Sequence, residues 1–153
     1  MKRSHFALLL PLAAAVVLVS CASIQRSQDQ GTVRQVASLI NAGNAAQLAS
    51  LSASPFLVDG EVVPLTADVA SFWQGIVKAG FRVEGATLDR GDPVGADSFR
   101  SFADTMEVKS FFSQYVKKGA RVVELATSAG ARVRLLVRSQ LFSWKILGFK
   151  GPF

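Results

Sequence analysis

The chain has 153 residues, 50% of them hydrophobic and 18% charged, with a formal net charge of +6, one cysteine and one histidine. The lone cysteine, Cys21, excludes disulfides within one chain. Stability must therefore come from an apolar core, and the length is enough for a single small domain.

Lys2 and Arg3 open the chain, an apolar run follows from Phe6, and Leu18-Val19-Ser20-Cys21 closes it. A basic start, a short apolar core and small residues before a cut make a secretory signal peptide. A spanning anchor fits less well, because Phe6 to Ser20 is 15 residues with Pro11 inside, and a spanning helix needs roughly 20 apolar residues. Leu-Val-Ser-Cys resembles the lipobox of bacterial lipoproteins. The resemblance implies a diacylglycerol on the Cys21 sulfur, cleavage before Cys21 and acylation of the new amino terminus. Residues 1–20 are then the signal peptide. Two or more acyl chains anchor a protein stably where one holds it weakly. Ala22 follows the cysteine in place of Asp, which in Gram-negative members of the class directs the protein to the outer membrane. The expected address is the cell envelope, lipid-anchored, and in a Gram-negative cell the outer membrane facing the periplasm.

Cleavage removes Lys2, Arg3 and His5, leaving 15 basic against 11 acidic residues and a net charge of +4. With no histidine and no free thiol left, a Ser-His-Asp triad, a Cys-His pair and a zinc site of imidazole or thiolate ligands are excluded. No metal or cofactor is expected.

From Ala22 to Gly31 the residues are mostly polar and lack an apolar period, so 21–31 reads as the lipidated cysteine and a flexible tether. Thr32 then reads as an N-cap ahead of Val33, Val36, Ala37 and Ile40, a helical stripe stopped at Gly43. Asn44 caps a second short helix over 45–51 that turns Leu48 and Leu51 inward. Asp59-Gly60 sits between two short apolar runs, 56–58 and 61–63, and predicts a tight hairpin. Thr66 caps a third helix with the stripe Val69, Phe72, Trp73, Ile76 and Val77, closed by Gly80. A strand is predicted over 81–88 and a loop over 90–98. Asp104 and Glu107 have capping-box spacing ahead of a helix carrying Val108, Phe111, Phe112, Tyr115 and Val116. Three antiparallel strands are predicted over 121–126, 131–138 and 141–149.

Helices beside an antiparallel meander make an α+β domain over 32–153, with helices packed on one face of a curved antiparallel sheet. The opening helix with Asn41-Ala42-Gly43-Asn44, the hairpin around Asp59-Gly60, the helix around Phe72-Trp73 and the long closing strands resemble the nuclear transport factor 2-like fold over about residues 32 to 150. The resemblance implies a cone-shaped cavity. The helix starting near Asp104 departs from the pattern, since many members have only a turn there, and it could cover the mouth of the cone.

Trp73, Phe111, Tyr115 and Trp144 are the ligand-pocket candidates if the cone is open; aromatics at such spacing also serve as plain core. Members of the resembled fold include isomerases and dehydratases. An enzyme of that kind would need a buried carboxylate, and Glu61, Glu84 and Glu124 are the strand acids available to work with Tyr115. The remaining acids cluster at turns and helix starts, where local hydrogen bonding explains them, so no catalytic residue is assigned. The expected function is a non-enzymatic ligand-binding or protein-interaction module.

From Lys109 to Lys150 nine Lys and Arg residues stand against Glu124 alone. Arg132, Arg134, Arg138 and Lys145 are expected on one sheet face, either as a solvated surface or as a contact for anionic lipid or an acidic envelope protein. Nucleic acid is not expected as a partner. Turn chemistry also predicts register. A three-residue loop Ser128-Ala129-Gly130 sets Leu125 against Val133 and Glu124 against Arg134. A two-residue loop at Ser139-Gln140 sets Val137 against Phe142, Leu135 against Trp144 and Arg134 against Lys145. Val133, Leu135 and Val137 then share the inner face.

Overall fold

The computed structural model describes the backbone of residues 9–140 and 143–152 and the side chains of residues 23–139 and 143–152. Helix α1 spans Leu9–Asn41. Val33, Val36, Ala37 and Ile40 are buried on it, as the period requires. The tether and the Thr32 cap are corrected by this helix: residues 22–31 are helical, and Thr32 lies inside α1 rather than at its start. The reason is tertiary. Asp29, one turn ahead of the Val33 stripe on the same helix face, is buried against a strand and holds the polar turns in place.

Helix α2 (Ala45–Leu51) is capped by Asn44, whose side chain accepts from the Gln47 N–H at 3.1 Å. Strands β1 (Ser52–Val58) and β2 (Glu61–Val63) form the predicted hairpin, with Asp59 and Gly60 both at positive φ, as its two-residue turn demands. Helix α3 (Thr66–Lys78) begins at Thr66 without a side-chain cap and buries Val69 and Trp73. The next strand is displaced from its expected place. Residues 81–86 form a loop, and β3 runs over Thr87–Pro93, sharing only Thr87 and Leu88 with the expected strand and running on into the expected loop. The loop is held by side-chain and turn contacts: the Val83 N–H donates to Asn41 Oδ1 at 2.8 Å and the Ser128 N–H to the Glu84 carbonyl at 3.0 Å. A short 3-10 turn (Ser98–Ser101) precedes α4 (Met106–Tyr115), whose N-cap is Thr105, one residue beyond the expected Asp104. Strands β4 (Ala120–Ala126), β5 (Arg132–Gln140) and β6 (Ser143–Lys150) close the domain.

The six strands form one curved sheet in the order β2-β1-β6-β5-β4-β3. It is mixed rather than wholly antiparallel, because β1 lies parallel to β6. Helices α1, α2 and α3 cover one face over Phe56, Val123, Leu125, Val133, Leu135, Val137, Ile146 and Phe149. The 3-10 turn and α4 cover part of the other face over Leu57, Val122, Leu136 and Leu147. The fourth helix therefore seals a second core instead of capping a cavity.

The β4/β5 register is as predicted: Leu125 opposes Val133, Glu124 opposes Arg134, and Gly130 takes the left-handed position. The β5/β6 register is not. Gln140 pairs with Ser143, Arg138 with Lys145 and Val137 with Ile146; a bulge then sets Leu135 against Phe149 and Arg134 against Lys150. The expected partner Phe142 lies outside the described residues. As far as Val137 the offset is four residues, which leaves every side chain on its face and is invisible to the apolar alternation; the bulge beyond it adds a fifth residue. Val133, Leu135 and Val137 are buried on the inner face all the same.

At the β1/β6 crossing the strands approach closely. A methyl group on Gly148 would lie 2.9 Å from Leu57 Cβ and 3.0 Å from its carbonyl oxygen. Gly148→Ala is expected to cost about 1–3 kcal/mol through backbone displacement, read as a lowered midpoint in urea unfolding. An unchanged midpoint would show that β1 can move away freely.

Candidate functional site

The interior between the helices and the sheet is filled by rings. Phe56, Phe72, Trp73, Phe81 and Phe149 interlock with centroid separations of 4.9 to 6.2 Å. Trp73 is fully buried and its indole N–H donates to Ser52 Oγ at 2.8 Å, so its one polar atom is satisfied inside the core.

The four aromatic pocket candidates do not converge. Trp73 belongs to this first core and Phe111 to the second, across the sheet. Tyr115 is 44% exposed and packs its ring 5.6 Å from that of Phe111. Trp144 is half-buried at the rim of the first core, donating from Nε1 to Gln35 Oε1 at 3.2 Å. The groove that holds Tyr115 is a shallow space of about 300 Å³ lined by Val62, Glu107, Ser110, Phe111 and Gln114. Glu61, Glu84 and Glu124 are not among its lining residues. Its acid is Glu107, whose carboxylate accepts from the Val62 N–H at 3.0 Å and so covers a donor of the short edge strand β2.

The basic face is partly assembled and partly neutralised. Arg132, with its side chain 54% exposed, lies 3.5 Å from Asp89, so Glu124 is not the only acid nearby. Arg134 is partly buried with Glu124, its ion-pair partner, and also donates to the Ser101 carbonyl. Lys145 faces Arg138 rather than Arg134 and donates to the Ser50 carbonyl at 2.6 Å. Arg138 has a buried Nε without a hydrogen-bond partner among the described residues. Lys150, which neighbours Arg134, donates to the carbonyls of Ser101 and Phe102 at 3.3 and 2.7 Å. These cations tie the 3-10 turn and α2 to the sheet.

The feature that local patterns missed lies where α1 passes over β3. Arg121 on β4 grips the Asp29 carboxylate at 2.8 to 3.0 Å through Nε and a terminal nitrogen, which also donates to the Gly91 carbonyl at 2.7 Å. The two side chains are 15% and 5% exposed. Gly91 leaves room beneath them, since a Cβ there would run into the Asp29 carboxylate and oblige it to shift in the grip of Arg121. Beside this pair a cleft of about 390 Å³ opens between α1 and the sheet edge, lined by Gln25, Arg26, Leu88, Asp89 and Arg90. Asp29 and Arg121 are 92 positions apart, so no spacing rule links them. Among the described residues no group of three or more His, Cys, Asp or Glu side chains is placed to hold a metal ion.

No protein-family model matches the sequence, and no curated protein matches it. Two solved structures are similar in layout. One is a domain of unknown function with a cystatin-like fold from Nostoc punctiforme: 16% identical, covering 81% of this chain and 74% of that one, with a TM-score of 0.41. The other is an NTF2-like protein with a cystatin-like fold from Novosphingobium aromaticivorans, 13% identical over 95% of this chain and 90% of that one, with a TM-score of 0.44. At these values the likeness carries no function.

Proposed function

We propose that the protein is a lipoprotein of the cell envelope, anchored by acyl chains on Cys21, whose α+β domain works by binding rather than by catalysis. The observation that carries the second half is the filled interior. Where a cavity enzyme would hold a substrate, five aromatic rings pack against one another. The strand acids offer no alternative: Glu61 and Glu84 are exposed and Glu124 is engaged by Arg134. The anchoring half rests on Leu18-Val19-Ser20-Cys21 at the end of a signal-like segment. The partner in this reading is anionic lipid or an acidic envelope protein, met through exposed cations such as Arg132. In a Gram-negative cell the domain faces the periplasm from the outer membrane.

Cys21→Ser is the direct test. Cells fed a labelled fatty acid should incorporate label into the parent and not into the variant, and the variant should accumulate as the longer, unprocessed precursor. Label that persists in the variant would sink the assignment.

A further inference from the structure

We infer that α1 is a rigid stem that stands the domain on the bilayer in one orientation, with the β3 edge against the lipid headgroups. The inference rests on the acylation of Cys21 proposed above. A lipoprotein domain on a flexible tether samples all orientations; here the tether is absent. Cys21 lies within the continuous helix Leu9–Asn41. From Cys21 to Asp29 is eight residues, which at 1.5 Å per residue is about 12 Å of helix. Asp29 is where the helix is locked. Its carboxylate is buried, gripped by Arg121 and seated on Gly91, and the next turns bury Val33 and Val36 in the main core. Rotation of α1 against the sheet would strip a buried charge of its partner.

The lock also selects the face that meets the membrane. Gln25 and Arg26, about one turn beyond Cys21, line the same cleft as Leu88, Asp89, Arg90 and Gly91 of β3. Whatever lies beside Gln25 lies within about two turns of the acylated residue. β3 is the outermost strand on that side of the sheet. Arg26, Arg90 and Arg132 stand there with much of their side chains in solvent; Arg90 pairs with Asp92 and Arg132 with Asp89, exposed pairs weak enough for headgroup phosphates to compete with, and the edge keeps a net positive charge. The opposite end of α1, at Asn41, is about 30 Å along the axis from Cys21, where it meets the loop after α3.

The test uses the full chain, processed in a Gram-negative host, purified from membranes and reconstituted into vesicles of phosphatidylethanolamine and phosphatidylglycerol. Acylated Cys21 has no free thiol, so Asp89→Cys and Ala79→Cys each accept one fluorophore at an exposed position. Quenching by headgroup-level nitroxide lipid should be at least two-fold stronger at position 89 than at 79. Inserting ten Gly and Ser residues between Ala22 and Ser23 should abolish the difference. Equal quenching in the parent, or a difference that survives the insertion, would overturn the stem. Mass spectrometry of the N-terminal peptide separates the two failures: an unacylated peptide would overturn the lipoprotein reading and the stem with it, whereas acylated protein with equal quenching overturns the stem alone.

Discussion

Asp29→Ala should destabilise the domain by about 3–5 kcal/mol, because it leaves the Arg121 guanidinium buried without its counter-charge. The pair is not a surface ion pair, which would be worth a kcal/mol or less. Arg121 is 15% exposed, and its remaining acceptor is the Gly91 carbonyl at 2.7 Å. Urea unfolding of the variant should show a lower midpoint with little change in slope. The double variant Asp29→Leu with Arg121→Met should recover most of the loss, since two apolar side chains of similar size cost little where two charges were buried. A single variant as stable as the parent would mean that water reaches the pair freely. A double variant no better than the single would mean that packing, not charge, dominates the contact.

Trp73→Ala should cost a similar amount, about 3–5 kcal/mol, through the cavity left when a fully buried indole is removed. Trp73 touches Phe56, Phe72 and Phe149 at ring separations of 6.0, 4.9 and 5.4 Å, so no single neighbour can move in to fill the space. Trp73→Phe keeps a ring and loses the hydrogen bond to Ser52 Oγ, for which about 1–2 kcal/mol is expected. Calorimetry on both variants separates the terms. If the alanine variant melted with the parent, the interior would have to be loose enough to admit a ligand, and the binding-module reading would need a pocket at that position.

Legibility followed the range of the interaction. The buried stripe of α1, the Asn44 cap, the Asp59-Gly60 turn and the Gly130 loop were readable because each depends on residues a few positions apart. β3 was not, because its sequence, Thr-Leu-Asp-Arg-Gly-Asp-Pro, is that of a loop. It is a strand because β4 offers its ladder and because Gly91 leaves room for the carboxylate above it. The pocket candidates scattered for a related reason. Spacing told which aromatics share a helix face, but not that the sheet is covered on both sides and separates Trp73 from Phe111.

The sequence alone thus determined which residues are apolar and on which face, where the tight turns fall, and that no disulfide can hold the chain together. It also carried the signal-like segment and Cys21, on which the proposed address depends. Only the tertiary structure decided that β1 joins β6 in parallel, that the β5/β6 pairing is offset, and that polar residues 22–31 belong to a helix. The parallel pairing and the helical course of 22–31 are settled by contacts between residues distant in the chain, and the buried pair of Asp29 with Arg121 is the plainest case, since neither residue means anything until the fold sets one above the other. The β5/β6 offset lies within one hairpin and escapes the sequence because a four-residue slip keeps each side chain on its face.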